Sequence, residues 1–250
     1  MLVFILALQS PEASKDWSRI SKLCERTLRS VCAQTSPDFR VFLVCNTKPE
    51  TDFNHPNLTV IERYFPVPVA TSSARMNDKW SKLKVGLIAS RHLAPAHVML
   101  MDADDCVSHD LAEYASCHPG AIGWSMNRGY LRDEGSRWLY LTKNFTRFCG
   151  SSAIIWLSAD DFPYSESAPT ERFFILANGH SVINDYMIKR GSPLQPLPFI
   201  GAIYLTATGE NDSSIRMAGW HGKKHAIGKL LAARPLTQRI RSEFGLYELP

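Results

Sequence analysis

The run Val-Met-Leu-Met-Asp-Ala-Asp-Asp, residues 98–105, restricts this chain more than any other stretch. Four apolar residues give way directly to Asp102, Asp104 and Asp105. A short continuous apolar run fits a strand buried on both faces, as in parallel sheets. Open α/β sheets bind their ligands in the crevice outside the carboxyl ends of such strands. Three carboxylates within four residues repel one another, and a divalent cation would relieve them. Mg2+ or Mn2+ takes one or two protein carboxylates and completes its shell with phosphate oxygens and water. The segment therefore predicts a metal–nucleotide site, against the plainer reading of solvated turn residues. An EF-hand counted from Asp102 fails, because Val107 stands where that loop needs glycine. A phosphatase-type aspartyl nucleophile at Asp102, with lysine support from elsewhere, fits locally and stays as an alternative.

Composition sets the scale of the fold. The chain has 250 residues, 45% of them apolar, enough for one α/β domain with its own core. A net charge of +4 with 21% charged residues is too mild to argue for a nucleic-acid partner. The six cysteines show neither CxxC nor zinc spacing, which fits a reducing cytoplasm. The opening MLVFILAL is too short for a membrane span and lacks a basic leader, so it reads as a first buried strand.

Strands then alternate with helices, the pattern of a mostly parallel sheet flanked by helices. A helix is expected over about residues 15–33, with Ile20, Leu23, Cys24, Leu28 and Val31 on one face. Strands follow at 41–45 and 58–61, then a Pro-, Ser- and Thr-rich loop at 66–73. A helix capped by Asn77 or Asp78 carries Trp80, Leu83 and Leu87. Beyond Pro119, GAIGWSMN and the pair GYLR/RWLYLT around Asp133-Glu134-Gly135 read as antiparallel strands with a hairpin. Helical stretches are expected at 169–177 and 180–190, the second stopped by Gly191. The organisation is one domain: a nucleotide-binding half at 1–118, an acceptor-side half at 119–209 and a basic tail at 210–250.

In order along the chain, these features resemble the GT-A fold glycosyltransferases, and among them the inverting family 2. The resemblance is carried by the first strand ending at Gln9-Ser10 and by RTLRSVCAQT, similar to the usual SVLAQT segment. It continues through the strand ending at Asn46, the MNDKWSK region, LMDADDCVS as the DxD element, and CGSSAIIWL. It implies a Rossmann-like GT-A sheet with a mixed antiparallel acceptor-side portion. The implied reaction moves a sugar from a UDP-, GDP- or dTDP-sugar to a hydroxyl of a glycan, lipid or small-molecule acceptor. Mg2+ or Mn2+ would sit on the diphosphate.

Under that resemblance Asp104 and Asp105 take the metal and ribose contacts, with Asp102 in support. The run GWHGKKH offers His221 as a further metal ligand and Lys223 and Lys224 for phosphate charge, unless it is a solvated basic loop. Gln9, Ser10 and Asn46, at the ends of the first two strands, mark the nucleoside end. Lys79 and Lys82 stand near it for the phosphates, and Asp78 is either a contact or a helix cap. Family 2 enzymes usually begin a helix with Glu-Asp, the Asp being the base, and a Gly follows about three turns later. Counting back from Gly191 reaches Gly179-His180 instead, so His180 takes the base position by spacing, with Asp161 and Asp185 as alternatives. The missing acidic pair leaves room for a non-catalytic nucleotide- or sugar-binding protein. Residues 210–214 read as a turn or a segment closing over the donor, and 223–241 as a basic helix broken at Pro235, or one lying on an anionic membrane surface.

Overall fold

Leu2–Ala7 forms β1, and its six residues are apolar because parallel strands pair with it on both sides. Its alternating side chains point to opposite faces, as the pleat requires. Leu2, Phe4 and Leu6 join a core under the helix Trp17–Cys32 (α1), while Val3 and Ile5 face the helix Ser72–Ser90 (α2). The computed structural model describes residues 1–177, 179, 182–210 and 232–249.

The flanking strands are β2 (Phe39–Cys45), β3 (Leu58–Glu62) and β4 (Ala96–Asp102), all parallel to β1. After the short β5 (Cys106–Val107) and α3 (Leu111–Cys117), β6 (Gly123–Ser125) returns to this sheet. The hairpin β7 (Gly129–Asp133) and β8 (Trp138–Thr142) precedes β9 (Ala153–Leu157), which inserts between β4 and β6 and runs against both. Two short helices, α4 (Phe174–Ala177) and α5 (Ile183–Lys189), then lead to β10 (Gln195–Pro196), which pairs with β6. The described main sheet reads β10-β6-β9-β4-β1-β2-β3, and β9 alone runs opposite to the rest. A second sheet is built from β11 (Ala202–Thr206) with β5, β7 and β8, and from β12 (Ala233–Pro235) on the outer side of β8. The architecture is therefore the expected mixed α/β one, a mostly parallel central sheet with helices on both faces and an antiparallel portion in the second half.

Local chemistry explains the helix that bounds the site. The α2 helix approaches β1 at Gly86, where a Cβ would lie 2.3 Å from Ile5 Cγ2, so a larger residue would force the layers apart. It starts earlier than the sequence suggests: the Thr71 hydroxyl, not Asn77 or Asp78, accepts from Ala74 N–H at 3.3 Å. Asp78 lies inside the helix, and one turn on it neutralises the buried Lys82 ammonium at 2.7 Å. That pairing is worth more to a desolvated charge than capping is to an exposed turn.

Two further expectations change. GAIGWSMN does not extend the hairpin, since β6 belongs to the main sheet. The described part of the tail is no free basic helix: Pro235 lies in the edge strand β12, opposite Trp138, and α6 (Gln238–Glu243) follows it. Phe244 and Leu246 are buried beyond α6, with Ile240 and Leu236 packed on the same cluster. Among the described residues, no helix is long and apolar enough to cross a membrane.

Candidate functional site

The parallel register sets Ala7 opposite Asp102, so β1 and β4 end at the same level and open onto one crevice. A cavity of about 340 Å³ lies there. Of the residues singled out from the sequence, Gln9, Asp78, Lys79, Lys82, Asp102 and Asp104 line it. Leu8, Phe148 and Tyr204 supply apolar wall, and Arg75, Gly150 and Glu210 complete its polar side.

Asp102 is fixed twice. Its carboxylate forms an ion pair with the Lys79 ammonium, and its backbone N–H donates to Ser151 Oγ at 3.0 Å. Gly150 lies against the same carboxylate: a Cβ there would stand 2.5 Å from Asp102 Oδ2 and 3.3 Å from Lys79 Nζ. Burial works to lower the Lys79 pKa, but the Asp102 charge outweighs it and holds the ammonium above its ordinary value. Asp104 is half-buried on the cavity, and burial followed by the Asp102 charge lifts its carboxyl to about 7.

Asp105 departs from its expected place. It is fully buried and does not line the cavity. Its Oδ2 accepts from Ser151 Oγ at 2.7 Å and Cys149 Sγ at 3.2 Å, while Oδ1 has no hydrogen-bond partner. Burial, reinforced by the Asp104 and Asp102 charges, pushes this carboxyl well above the usual range. The cavity therefore presents two of the three acids, Asp102 and Asp104. Two carboxylates suit a hard divalent cation that draws its other ligands from phosphate and water. Among the described residues, no group of three or more histidines, cysteines or carboxylates converges to make a closed cage.

The nucleoside-end residues separate. Gln9 reaches the cavity, while Ser10 is buried with an unpartnered hydroxyl. Asn46 donates through Nδ2 to the Phe65 carbonyl at 2.7 Å and keeps Oδ1 unpartnered. Neither Ser10 nor Asn46 lines the cavity. Burial depresses the Lys82 pKa against the opposing pull of Asp78. Of the base candidates, Asp161 closes a capping box: its Oδ2 accepts from Ser158 N–H at 2.9 Å and Ser158 Oγ at 2.6 Å, with Arg190 at 3.8 Å from the other oxygen. Asp185 is exposed in the first turn of α5, and neither acid lines the cavity. His180, His221, Lys223 and Lys224 lie outside the described residues.

Sequence reasoning gave no individual site role to Cys149, Gly150 and Ser151, which it read only as the entry to a strand, and it placed Glu210 only in a turn or closing segment. Glu210 receives backbone N–H groups of Lys15 and Asp16 at 3.1 Å each, and Gln9 Nε2 at 3.4 Å. It thereby ties the turn after β11 to the entry of α1, which holds two walls of the cavity together. The turn needs left-handed backbone at Gly209, φ 91°, and at Ala207, φ 56°. Ala207 carries a side chain there, so the turn stores strain of the sort found around working sites. The sequence signal for Gly150 and Ser151 was the Gly-Ser-Ser step entering β9.

No family model matches the chain, and no curated protein matches it either. Among solved structures it is similar to a putative glucose-1-phosphate thymidylyltransferase from Bacillus anthracis in complex with sucrose, at 14% identity and a TM-score of 0.37. The alignment covers 80% of this chain and 88% of that one. A likeness this loose carries no functional weight; the cavity and its side chains do.

Proposed function

We propose that the protein is a GT-A-type glycosyltransferase that moves a sugar from a nucleotide diphosphate-sugar to an acceptor hydroxyl. The observation that carries this reading is the arrival of Asp102 and Asp104 at the C-terminal end of β4, on a cavity that also holds Lys79, Lys82 and Gln9. Bound Mg2+ or Mn2+ would supply positive charge to the departing nucleoside diphosphate. Asp102 and Asp104 would hold that ion. Lys79, which pairs with Asp102, would offer its ammonium to a phosphate oxygen and add stabilisation where the leaving group gains charge. Gln9 and Asp78 face the nucleoside end, and Phe148 and Tyr204 offer flat apolar surface to a sugar ring.

His180 is the base by its spacing from Gly191. Asp161 already gives an oxygen to its capping box, which weakens its claim. The donor is a UDP-, GDP- or dTDP-sugar, and the acceptor hydroxyl belongs to a glycan, a lipid or a small molecule. All six cysteines are free thiols, in keeping with a cytoplasmic, single-domain enzyme. The Lys79 ammonium beside Asp102 equally suits a metal-dependent phosphohydrolase with Asp102 as nucleophile, which keeps that second reading in play.

Thermal unfolding with UDP, GDP, dTDP and CDP, each with and without Mn2+, tests the site, because a ligand selective for the native state raises the midpoint by mass action. Stabilisation by one nucleotide, dependent on metal and lost in Asp104→Ala, is the expected result. No stabilisation by any of the four would sink the transferase reading, and phosphate monoesters would then be tried against Asp102→Asn.

A further inference from the structure

Asp105 looks from the sequence like a metal ligand beside Asp104, yet its surroundings give it other work. Its Oδ2 accepts from Ser151 Oγ, and the same hydroxyl accepts from the Asp102 backbone N–H. The Asp102 N–H can only donate, and the Ser151 hydroxyl both receives it and donates onward, so the run reads Asp102 N–H to Ser151 Oγ–H to Asp105. Cys149 Sγ donates to the same carboxyl oxygen. The three residues Cys149, Gly150 and Ser151 thus wrap the acidic turn from behind. Gly150, the one without a side chain, faces the Asp102 carboxylate. Replacing that missing side chain would push Asp102 off its present position.

We propose that Asp105 is a positioning residue for the donor site. Through Ser151 it fixes the backbone of Asp102, and so sets where the Asp102 carboxylate meets Lys79 and, on the transferase reading above, the metal. The geometry divides the acids: Asp102 and Asp104 face the ligand, and Asp105 holds the first of them in place. Outer partners of this kind orient ligands without touching them, and their loss weakens a site about 10–100-fold. Asp105 and Ser151 act as one unit, so their effects should overlap and not add.

The test reads Lys79 directly. Lysines of the full chain are dimethylated with carbon-13, which keeps their charge, and the Lys79 resonance is assigned with Lys79→Arg. Ser151→Ala and Asp105→Ala are each expected to move that resonance, and the double variant no further than the larger single shift. Asp105→Asn keeps an oxygen that accepts the Ser151 proton and should leave the resonance near its wild-type place. An unmoved resonance in Ser151→Ala, or an Asp105→Asn spectrum matching Asp105→Ala, overturns the positioning role. Titration of the same samples with Mn2+ alone separates this idea from the transferase reading. Equal broadening of Lys79 in wild type and Asp105→Asn supports both, whereas broadening lost in Asp105→Asn makes Asp105 a ligand and overturns the inference. Broadening absent in every sample removes the metal from the proposed function, and the metal-free shifts still decide on Asp105.

Discussion

The two sheets both bury charge, and they treat it in opposite ways. Around the second sheet two buried guanidiniums meet carboxylates: Arg26, on α1, holds Glu134 at 2.7 Å in the turn after β7, and Arg132, in β7, holds Glu248 at 2.8 Å. At the end of β4 three carboxylates gather, and the ammonium paired to them is that of Lys79 on Asp102. Balanced charge fixes the place of an element, and the fold needs nothing more from it. Acids crowded beside a cavity, with carboxyls raised by burial and by one another, mark a candidate working site. The contrast separates two kinds of buried ion that look alike in a residue list, and it can be broken or sharpened at several points.

The largest effect should come from unbalancing the quiet side. Glu134→Ala leaves the Arg26 guanidinium buried without its carboxylate and should cost about 3–5 kcal/mol in a denaturant titration. The double replacement Arg26→Met/Glu134→Leu should restore most of that, since removing both charges of a buried pair costs little. At the proposed donor site, Gly150→Ala should leave the fold intact and displace the Asp102 carboxylate. At nucleotide and Mn2+ a hundredfold above the dissociation constant, binding adds about 2.7 kcal/mol to wild-type stability, and most of this gain should vanish in the variant.

Protonation gives a finer comparison. The Asp104 carboxyl titrates at about 7 in the folded protein against an ordinary 3.8, so between those values the native state holds a proton that the unfolded chain has lost. Stability from this group should therefore be full below about pH 4, fall as pH rises towards 7, and stay flat above. Urea midpoints at pH 5 and pH 8 would show the drop in wild type, and Asp104→Asn should make it smaller, leaving the share that belongs to the raised Asp105 carboxyl. A profile of the same slope in Asp104→Asn would place the titration elsewhere. Smallest of all, Glu210→Gln keeps one of the two accepting oxygens and turns the other into a donor, so it should cost about 0.5–1.5 kcal/mol and loosen the wall beside Gln9. Weaker nucleotide binding with an unchanged maximal rate is the expected kinetic sign.

Sequence alone showed the acidic strand end because everything about it is local: an apolar run, a sheet, and a crevice at the sheet's edge. The mostly parallel character of the sheet followed from the alternation of strands and helices. Asp78 marks the first limit, since capping a helix and pairing one turn on to Lys82 are both local and draw on the same two residues. Asp105 marks the second. Its partners Cys149 and Ser151 lie 44 and 46 residues away, and they meet it because β9 inserts beside β4, a pairing that no spacing announces. Glu210 lies farther still, 201 residues from Gln9, and its role depends on a strained turn at Ala207 that an alanine does not advertise.

The Arg26 clamp has a consequence for how the protein is made. Arg26 lies in α1, and its guanidinium is sealed by Glu134, 108 residues later, and by the Tyr247 carbonyl, 221 residues later, at 3.4 Å. On the ribosome, then, the first helix emerges long before its lid has been synthesised. A nascent chain that stalls before residue 134 carries a cation that the finished fold hides. Only the arrival of residue 247 completes the seal, so α1 waits for a partner made 221 residues after Arg26.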